Sequence, residues 1–259
     1  MAMKKFFKLS MWSCLMLMAL SVGLTACDET GGGGSGGGTT GNWGDKITVT
    51  SGRTRSEYAN MVFTYDGQGR IIKVNYEEHE GDEMWLYTVN YTYGQDRITE
   101  EWLEYEGDVV VDRDFGIWML NNKGLISSYT EEYDDGSVYE SYYQYDSNGY
   151  LTSFVDDNSN YEIKWQNGNM VDYNGRTKLT YYTDKSDAKG VNGLSFSMFD
   201  DFGLLYMQGY FGKKSANLLK EYGHDVYTYT FDGDKVKTAR CHDTDDVDDR
   251  YDNVWTFYF

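Results

Sequence analysis

The sequence predicts an all-β protein: an antiparallel meander of roughly 14 to 16 strands in repeated hairpins, closed into a barrel-like form or a strongly curved sheet. Three observations carry that prediction. A turn motif recurs along the chain, aromatic and polar residues alternate between its copies, and proline is absent altogether.

The motif is an aromatic residue, Asp or Asn, two variable residues, Gly, one further residue and an aliphatic. It stands complete at Tyr65-Asp66-Gly67-Gln68-Gly69-Arg70-Ile71, again from Tyr145 to Leu151 and again from Phe199 to Leu205. A copy from Leu120 to Ile126 replaces the aromatic with leucine, and looser copies begin at Tyr93, Trp165 and Phe231. The spacing has a mechanical reason. The Asp or Asn side chain accepts hydrogen bonds from the following backbone, the middle residues form a type I turn, and the Gly adopts the left-handed conformation that closes a bulged hairpin. Each copy therefore joins two strands.

The flanks agree with this reading. Val89, Tyr91 and Tyr93 alternate with Asn90 and Thr92, and Tyr227, Tyr229 and Phe231 alternate with Thr228 and Thr230, which is the period of a strand with one buried face. Ile47 to Val49 and Val254 to Phe259 are candidates for further strands. No sustained helical period appears, and the one short helical turn expected lies around Ser215 to Tyr222. A chain without proline loses no ladder donors, as continuous sheets require.

The N-terminus has a different character. Lys4, Lys5 and Lys8 precede an apolar run from Met11 to Leu24, the layout of a secretory signal. The run is about 14 residues, short of the ~20 that cross a bilayer as a helix. It ends in Leu24-Thr25-Ala26-Cys27, which resembles a bacterial lipobox. That resemblance implies cleavage before Cys27, attachment of lipid to its thiol, and anchoring of the mature protein to a membrane. Residues 28–42 include Gly31 to Gly34 and Gly36 to Gly38, a flexible tether. The chain thus divides into a signal peptide (1–26), a lipidated cysteine with its tether (27–42) and a single all-β domain (43–259). The pair Asp28-Glu29 resembles the export tag by which some diderm gut bacteria display lipoproteins on the outer surface of the outer membrane. In other diderms Asp at that position means inner-membrane retention, so the expectation is an envelope location, surface-exposed with the periplasmic face as the alternative.

Removing the signal takes Cys14 away, and with Cys27 acylated only Cys241 remains a thiol, so no internal disulfide is expected. Loss of Lys4, Lys5 and Lys8 takes the formal charge from −19 to −22, a field that repels nucleic acid. The 25 Tyr, 12 Phe and 7 Trp argue against disorder despite that charge.

The hairpin turns look like YD repeats of the Rhs kind. Together with the lipobox, the tether and the late segment Tyr210-Phe211-Gly212-Lys213-Lys214-Ser215-Ala216-Asn217-Leu218-Leu219, the chain resembles a family of lipoproteins of unknown function described as porin-like in fold, from gut-type diderm bacteria. The resemblance implies a fold and a location. It brings no activity.

Candidate chemistry is sparse. The acids Asp243, Asp245, Asp246, Asp248, Asp249 and Asp252 suggest calcium, but the sixth position of a calcium loop starting at Asp243 is Asp248 where Gly is needed. A solvated loop between the last two strands is the simpler reading. Adjacent Cys241 and His242 have the wrong spacing for zinc and lack a second pair, and no base is placed near the cysteine as a nucleophile would need, so Cys241 reads as a buried or half-buried strand residue. Among 42 Asp and Glu no motif selects two for glycoside hydrolysis, and Glu100, Glu101 and Glu104 read as the wet face of a strand. No catalytic residue, metal or cofactor is expected.

Aromatic residues are the better lead. Trp85, Trp102, Trp118, Trp165 and Trp255 are first of all core candidates. At the pairs Tyr142-Tyr143 and Tyr181-Tyr182, alternation sends one ring of each pair to solvent, where it can stack on a sugar or anchor a protein. These four tyrosines are the candidate ligand-binding residues. The ending Trp255-Thr256-Phe257-Tyr258-Phe259 resembles the last strand of an outer-membrane barrel, yet outward positions assigned to Glu100, Glu140 and Gln144 are too polar for lipid. The expectation is therefore a lipid-anchored, non-catalytic module binding a neutral glycan or a protein, with a polysaccharide hydrolase or a purely structural envelope component as rivals.

Overall fold

The turn motif folds as its chemistry dictates. At the first copy, Asp66 Oδ1 accepts hydrogen bonds from the backbone amides of Gln68 and Arg70 at 2.8 and 2.9 Å, and Gly69 takes φ +76°. The same pair of bonds forms at Asn121 with Lys123 and Leu125, and at Asp146 with Asn148 and Tyr150. The ladder shifts register immediately before the first motif residue, at Thr64/Tyr65, Met119/Leu120 and Gln144/Tyr145, so each copy is a bulged hairpin. At the looser copy from Trp165, Asn167 and Gly168 both have positive φ and make a two-residue turn.

The protein is seen in a computed structural model that describes residues 44, 46–51, 57–156, 159–175, 177–186, 203–245 and 253–259. The signal, Cys27, the tether and Trp43 lie outside the described residues, as do Phe199 to Phe202 and Asp246 to Asp252. The strands are β1 (Lys46–Ser51), β2 (Glu57–Tyr65), β3 (Ile71–Glu80), β4 (Glu83–Tyr93), β5 (Arg97–Glu106), β6 (Val109–Leu120), β7 (Ile126–Glu132) and β8 (Val138–Tyr145). They continue as β9 (Leu151–Asp156), β10 (Ser159–Gln166), β11 (Asn169–Tyr173), β12 (Thr177–Ser186), β13 (Asn217–Tyr222), β14 (Asp225–Asp232), β15 (Lys235–Asp243) and β16 (Asn253–Tyr258). Each pairs antiparallel with its neighbour, and β1 pairs with β16, from Lys46 opposite Tyr258 to Ser51 opposite Asn253. The sheet is a closed barrel, and the two candidate end strands are the ones that close it.

The copy from Phe199 to Leu205 departs from expectation. Its described part is not a strand: Gly203–Met207 forms a short helix, α1. Ser215 to Tyr222, expected as a helical turn, instead enters β13 at Asn217. The reason is tertiary. Leu204, Leu205, Tyr206 and Phe211 are buried, and α1 with the residues after it lines the inner rim of one end of the barrel. Four turns bind it in order. Ile71 N donates to Gln208 Oε1 (2.9 Å), Ile126 N to Tyr210 O (2.8 Å), Lys213 N to Gly149 O (2.9 Å) and Ala216 N to Gly168 O (3.0 Å). Those long-range bonds override local turn propensity. We call this the proximal end, because β1 also starts there beside the end of β16.

Aromatic rings fill the proximal core. Phe211 meets Trp118 and Tyr143 edge-on at 5.9 and 5.0 Å, and Trp118 stacks on Tyr129 at 4.0 Å. A row of rings runs inside β8 to β11, with Tyr143 on Phe154 at 5.8 Å, Phe154 on Tyr161 at 4.3 Å and Tyr161 on Tyr173 at 5.4 Å. Such pairs add about 0.5–1.5 kcal/mol each beyond burial. Gly116 sits under this packing: a Cβ there would fall 2.5 Å from the Tyr129 ring.

The outer face is polar. Thr48 donates to Asn60 and Asn60 to Glu77 across three strands, and Asn90 donates to Glu101, which also pairs with Arg113. Glu140 and Gln144 are exposed on this face, as expected. This network crosses the described outer face from β1 to β6, beside exposed apolar residues such as Val62, Phe115 and Ile117. No helix among the described residues is long and apolar enough to cross a membrane.

Candidate functional site

The distal half of the lumen has a different composition from the proximal half. Cross-strand register identifies the inward side chains. On β3 these are Val74, Tyr76 and Glu78, facing Val89, Tyr87 and Trp85 on β4. Val89, Tyr87 and Tyr91 in turn face Trp102, Glu104 and Glu100 on β5, and these face Asp114, Asp112 and Gly116 on β6. Moving away from α1, apolar residues give way to carboxylates set among rings. Trp85, Trp102, Glu104, Asp112 and Asp114 are inward yet partly exposed, so this end is open to water.

Burial decides how each acid behaves. Glu100, 1% exposed, accepts from the indole of Trp102 at 2.6 Å and interacts with Tyr91, whose phenol is pushed up by burial and then by the Glu100 charge. Glu131 accepts from the hydroxyl of Tyr129 at 3.2 Å. Glu78 is 5% exposed, its Oε2 has no hydrogen-bond partner among the described residues, and burial pushes its carboxyl up to about 7. Tyr87 is also pushed up, by burial first and then by Glu78 and Glu104. On the far wall Asp225 rises to about 6 through burial and the charge of Asp243, which lies directly opposite it on β15. Among the described residues, no three His, Cys, Asp or Glu side chains are grouped to hold a metal ion.

The four tyrosines singled out from the sequence do not form one surface. Tyr142 is 51% exposed on the outer face, its hydroxyl donating to Glu140 at 3.0 Å, while Tyr143 is buried inside. Alternation holds at that pair. It fails at Tyr181-Tyr182, where both rings are half-buried. Register shifts between β12 and β13 interrupt the alternation there. The Tyr181 hydroxyl lies 3.0 Å from Ser215 Oγ, and that of Tyr182 donates to the carbonyl of Tyr227 at 2.8 Å. Cys241 is buried in β15. Trp118 and Trp255 are fully buried, whereas Trp85, Trp102 and Trp165 are partly exposed.

Glu100 corrects the sequence reading. It points into the lumen rather than outward, and Glu104 also faces inward, while Glu101 lies outside. The signal was the phase of the strand, since Glu100 shares parity with Ile98 and Trp102. Glu78 was missed for the same reason: it shares parity with Val74 and Tyr76 but sits in the acidic run Glu77-Glu78-His79-Glu80, where no apolar residue marks the inward face.

A family model described as a domain of unknown function (DUF4595) with porin-like fold matches residues 60–241. Among solved structures, a porin-like protein from Bacteroides uniformis superposes with TM-score 0.64 at 14% identity, covering 85% of this chain and 98% of that one. A porin-like protein from Bacteroides vulgatus aligns at 12% identity with TM-score 0.28, covering 83% of this chain and 98% of that one. No curated protein matches the sequence.

Proposed function

The chain belongs to the family of domains of unknown function with a porin-like fold, and from that footing we propose that it is a non-catalytic binding module of the bacterial envelope, anchored by lipid on Cys27, whose ligand enters the distal lumen. The observation that carries this reading is the set of inward yet partly exposed rings and carboxylates at the distal end. Flat indoles beside hydrogen-bonding acids are the equipment of a recognition site.

Two further features support it. The polar outer wall suits a barrel held beside a membrane by a lipid rather than one embedded in it. The chain enters β1 at the proximal end, so a tether running from Cys27 would leave the distal mouth facing away from the anchor. In this reading the likeness of the turns to YD repeats reflects a scaffold role, the copies from Tyr65, Leu120, Tyr145 and Trp165 each adding a hairpin to the wall and a binding point for the 203–216 segment. Two ligand chemistries suit the lumen: a neutral glycan stacked on Trp85 and Trp102, or a basic protein segment.

The test has two parts. Cys27→Ala should abolish incorporation of labelled fatty acid, and label still entering the variant would remove the anchor from the proposal. In a ligand screen, Trp85→Ala and Trp102→Ala should each weaken retention about 10-fold or more, and outer-face Tyr142→Ala should leave it unchanged. Release of sugar products on long incubation would replace the binding module with a hydrolase.

A further inference from the structure

The inner wall from β3 to β6 carries one sign of charge. Its distal inward positions hold Glu78, Glu80, Glu83, Glu104, Asp112 and Asp114. The basic residues of the same strands, Lys73, His79, Arg97 and Arg113, occupy the opposite parity and lie outside. A low-dielectric wall with unbalanced acids concentrates cations at the mouth.

Glu78 gives that field a focus. It is 95% buried by its 5% exposure, it points into the lumen, and Oε2 has no partner among the described residues. Two of its described neighbours supply none. Ala59 opposite it on β2 has no donor, and the indole N–H of Trp102 is committed to Glu100. A buried carboxylate without a donor is costly, and natural structures seldom leave one without a reason. Rings surround the position: Trp85 lies directly across on β4, and Tyr76 packs on Trp102 at 6.1 Å one step deeper.

This arrangement selects among cations. A calcium or magnesium ion needs several oxygens converging within about 2.0–2.6 Å, and the described acids form no such group. An ammonium or guanidinium group needs only one charge-assisted acceptor, with ring faces taking the rest of its charge. Resting on the binding reading above, we propose that the distal lumen is a site for an organic cation, a primary ammonium or guanidinium group seated against Glu78 with Trp85 and Trp102 as walls and Glu104 as the outer counter-charge.

The probes are spermidine, for a free polyamine, and N-acetyl-argininamide and N-acetyl-lysinamide, for a basic peptide side chain, titrated calorimetrically into the full chain in mild detergent. Saturable binding of at least one is expected. Glu78→Gln should weaken it at least 10-fold, Glu104→Gln several-fold, and Glu77→Gln, on the outer face, not at all. Affinity should also rise with pH from 6 to 8, with a proton released on binding at pH 6, as the cation displaces the proton from Glu78. Of the other groups facing Glu78, Tyr87 and Trp85 on β4 stay neutral and Ala59 on β2 does not titrate, while Glu80, Glu83 and Glu104 stand nearer the mouth and are less buried. If Glu78→Gln fails to fold, the Glu104→Gln loss together with proton release in the unmodified chain supports the proposal, and absence of either overturns it. Binding that is indifferent to Glu78→Gln, or no binding of any probe, overturns it as well. Retention of a neutral glycan that depends on Trp85 and Trp102 while every cation is refused would leave the binding module standing and the cation site refuted.

Discussion

The hydroxyl of Tyr93 donates to the carbonyl of Ile71 at 2.7 Å, joining the first residue of one turn motif to the last residue of the motif before it. The same clasp recurs around the barrel. Tyr145 donates to Ile126 O at 2.7 Å, and the indole of Trp165 donates to Leu151 O at 2.7 Å. The bulge preceding each motif shifts the ladder, and the aromatic head of the next copy meets the carbonyl at the end of the shifted turn. The aromatic position is therefore a hydrogen-bonding position as well as a packing one at Tyr93, Tyr145 and Trp165.

Tyr93→Phe tests the clasp. The variant keeps the ring but leaves the carbonyl of fully buried Ile71 without this donor, and it removes a second contact, 3.1 Å, to Gln208 Oε1. A loss of about 1–2 kcal/mol is expected, or a fall of roughly 2–8 °C in melting temperature for a domain of this size. Tyr142→Phe removes only a bond to surface Glu140 and should cost under about 0.5 kcal/mol. Equal effects of the two variants in thermal melts would reduce the clasp to ordinary packing.

Gly116 offers a second test, since its neighbours exclude even a methyl group. The Tyr129 ring lies across it, 2.5 to 2.9 Å from where a Cβ would stand, and is held by stacking on Trp118 and by its bond to Glu131. Gly116→Ala must displace that ring and should cost about 1–3 kcal/mol in urea unfolding. In Gly67, by contrast, a Cβ meets nothing within 4 Å and φ is not in the left-handed region, so Gly67→Ala should be near neutral. A neutral Gly116→Ala would show that the ring is not fixed there.

Much of the wall was legible in the sequence because its determinants are local. Asp66, Asn121 and Asp146 make their bonds within four residues, and alternation on either side sets which faces are buried. The lumen was harder to read. Gly203 to Leu205 match the turn motif yet form a helix, and the segment they begin is held from Gln208 onward by turns far away in sequence. Tyr181 and Tyr182 sit beside register shifts that only the pairing of β12 with β13 reveals. Glu78 and Glu100 are acids at core parity, and composition alone assigns acids to water. The candidate site was missed because it consists of the residues that break the pattern the fold was read from.

The buried acids predict how stability depends on pH. Glu78 is raised from 4.5 to about 7 by burial, and Asp225 from 3.8 to about 6 by burial and then Asp243. Each is a carboxyl whose folded value exceeds its unfolded one, so between the two values the native state holds a proton that the unfolded chain has released. Stability then falls as pH rises through that window and levels off above about 7. Asp146 acts in the opposite sense. The Tyr150 amide, first among its turn bonds, lowers it, so its contribution is lost only in acid, below 3.8. Without a ligand, the protein should be more stable at pH 5 than at pH 8, with Glu78 accounting for about 3 kcal/mol at most over its whole window. Glu78→Gln should flatten most of that decline, because the amide is neutral throughout. Urea unfolding at pH 5 and pH 8, for the native chain and for Glu78→Gln, measures both slopes. A native chain at least as stable at pH 8 as at pH 5, or a variant with an undiminished slope, would mean that the carboxylate of Glu78 is already compensated within the fold.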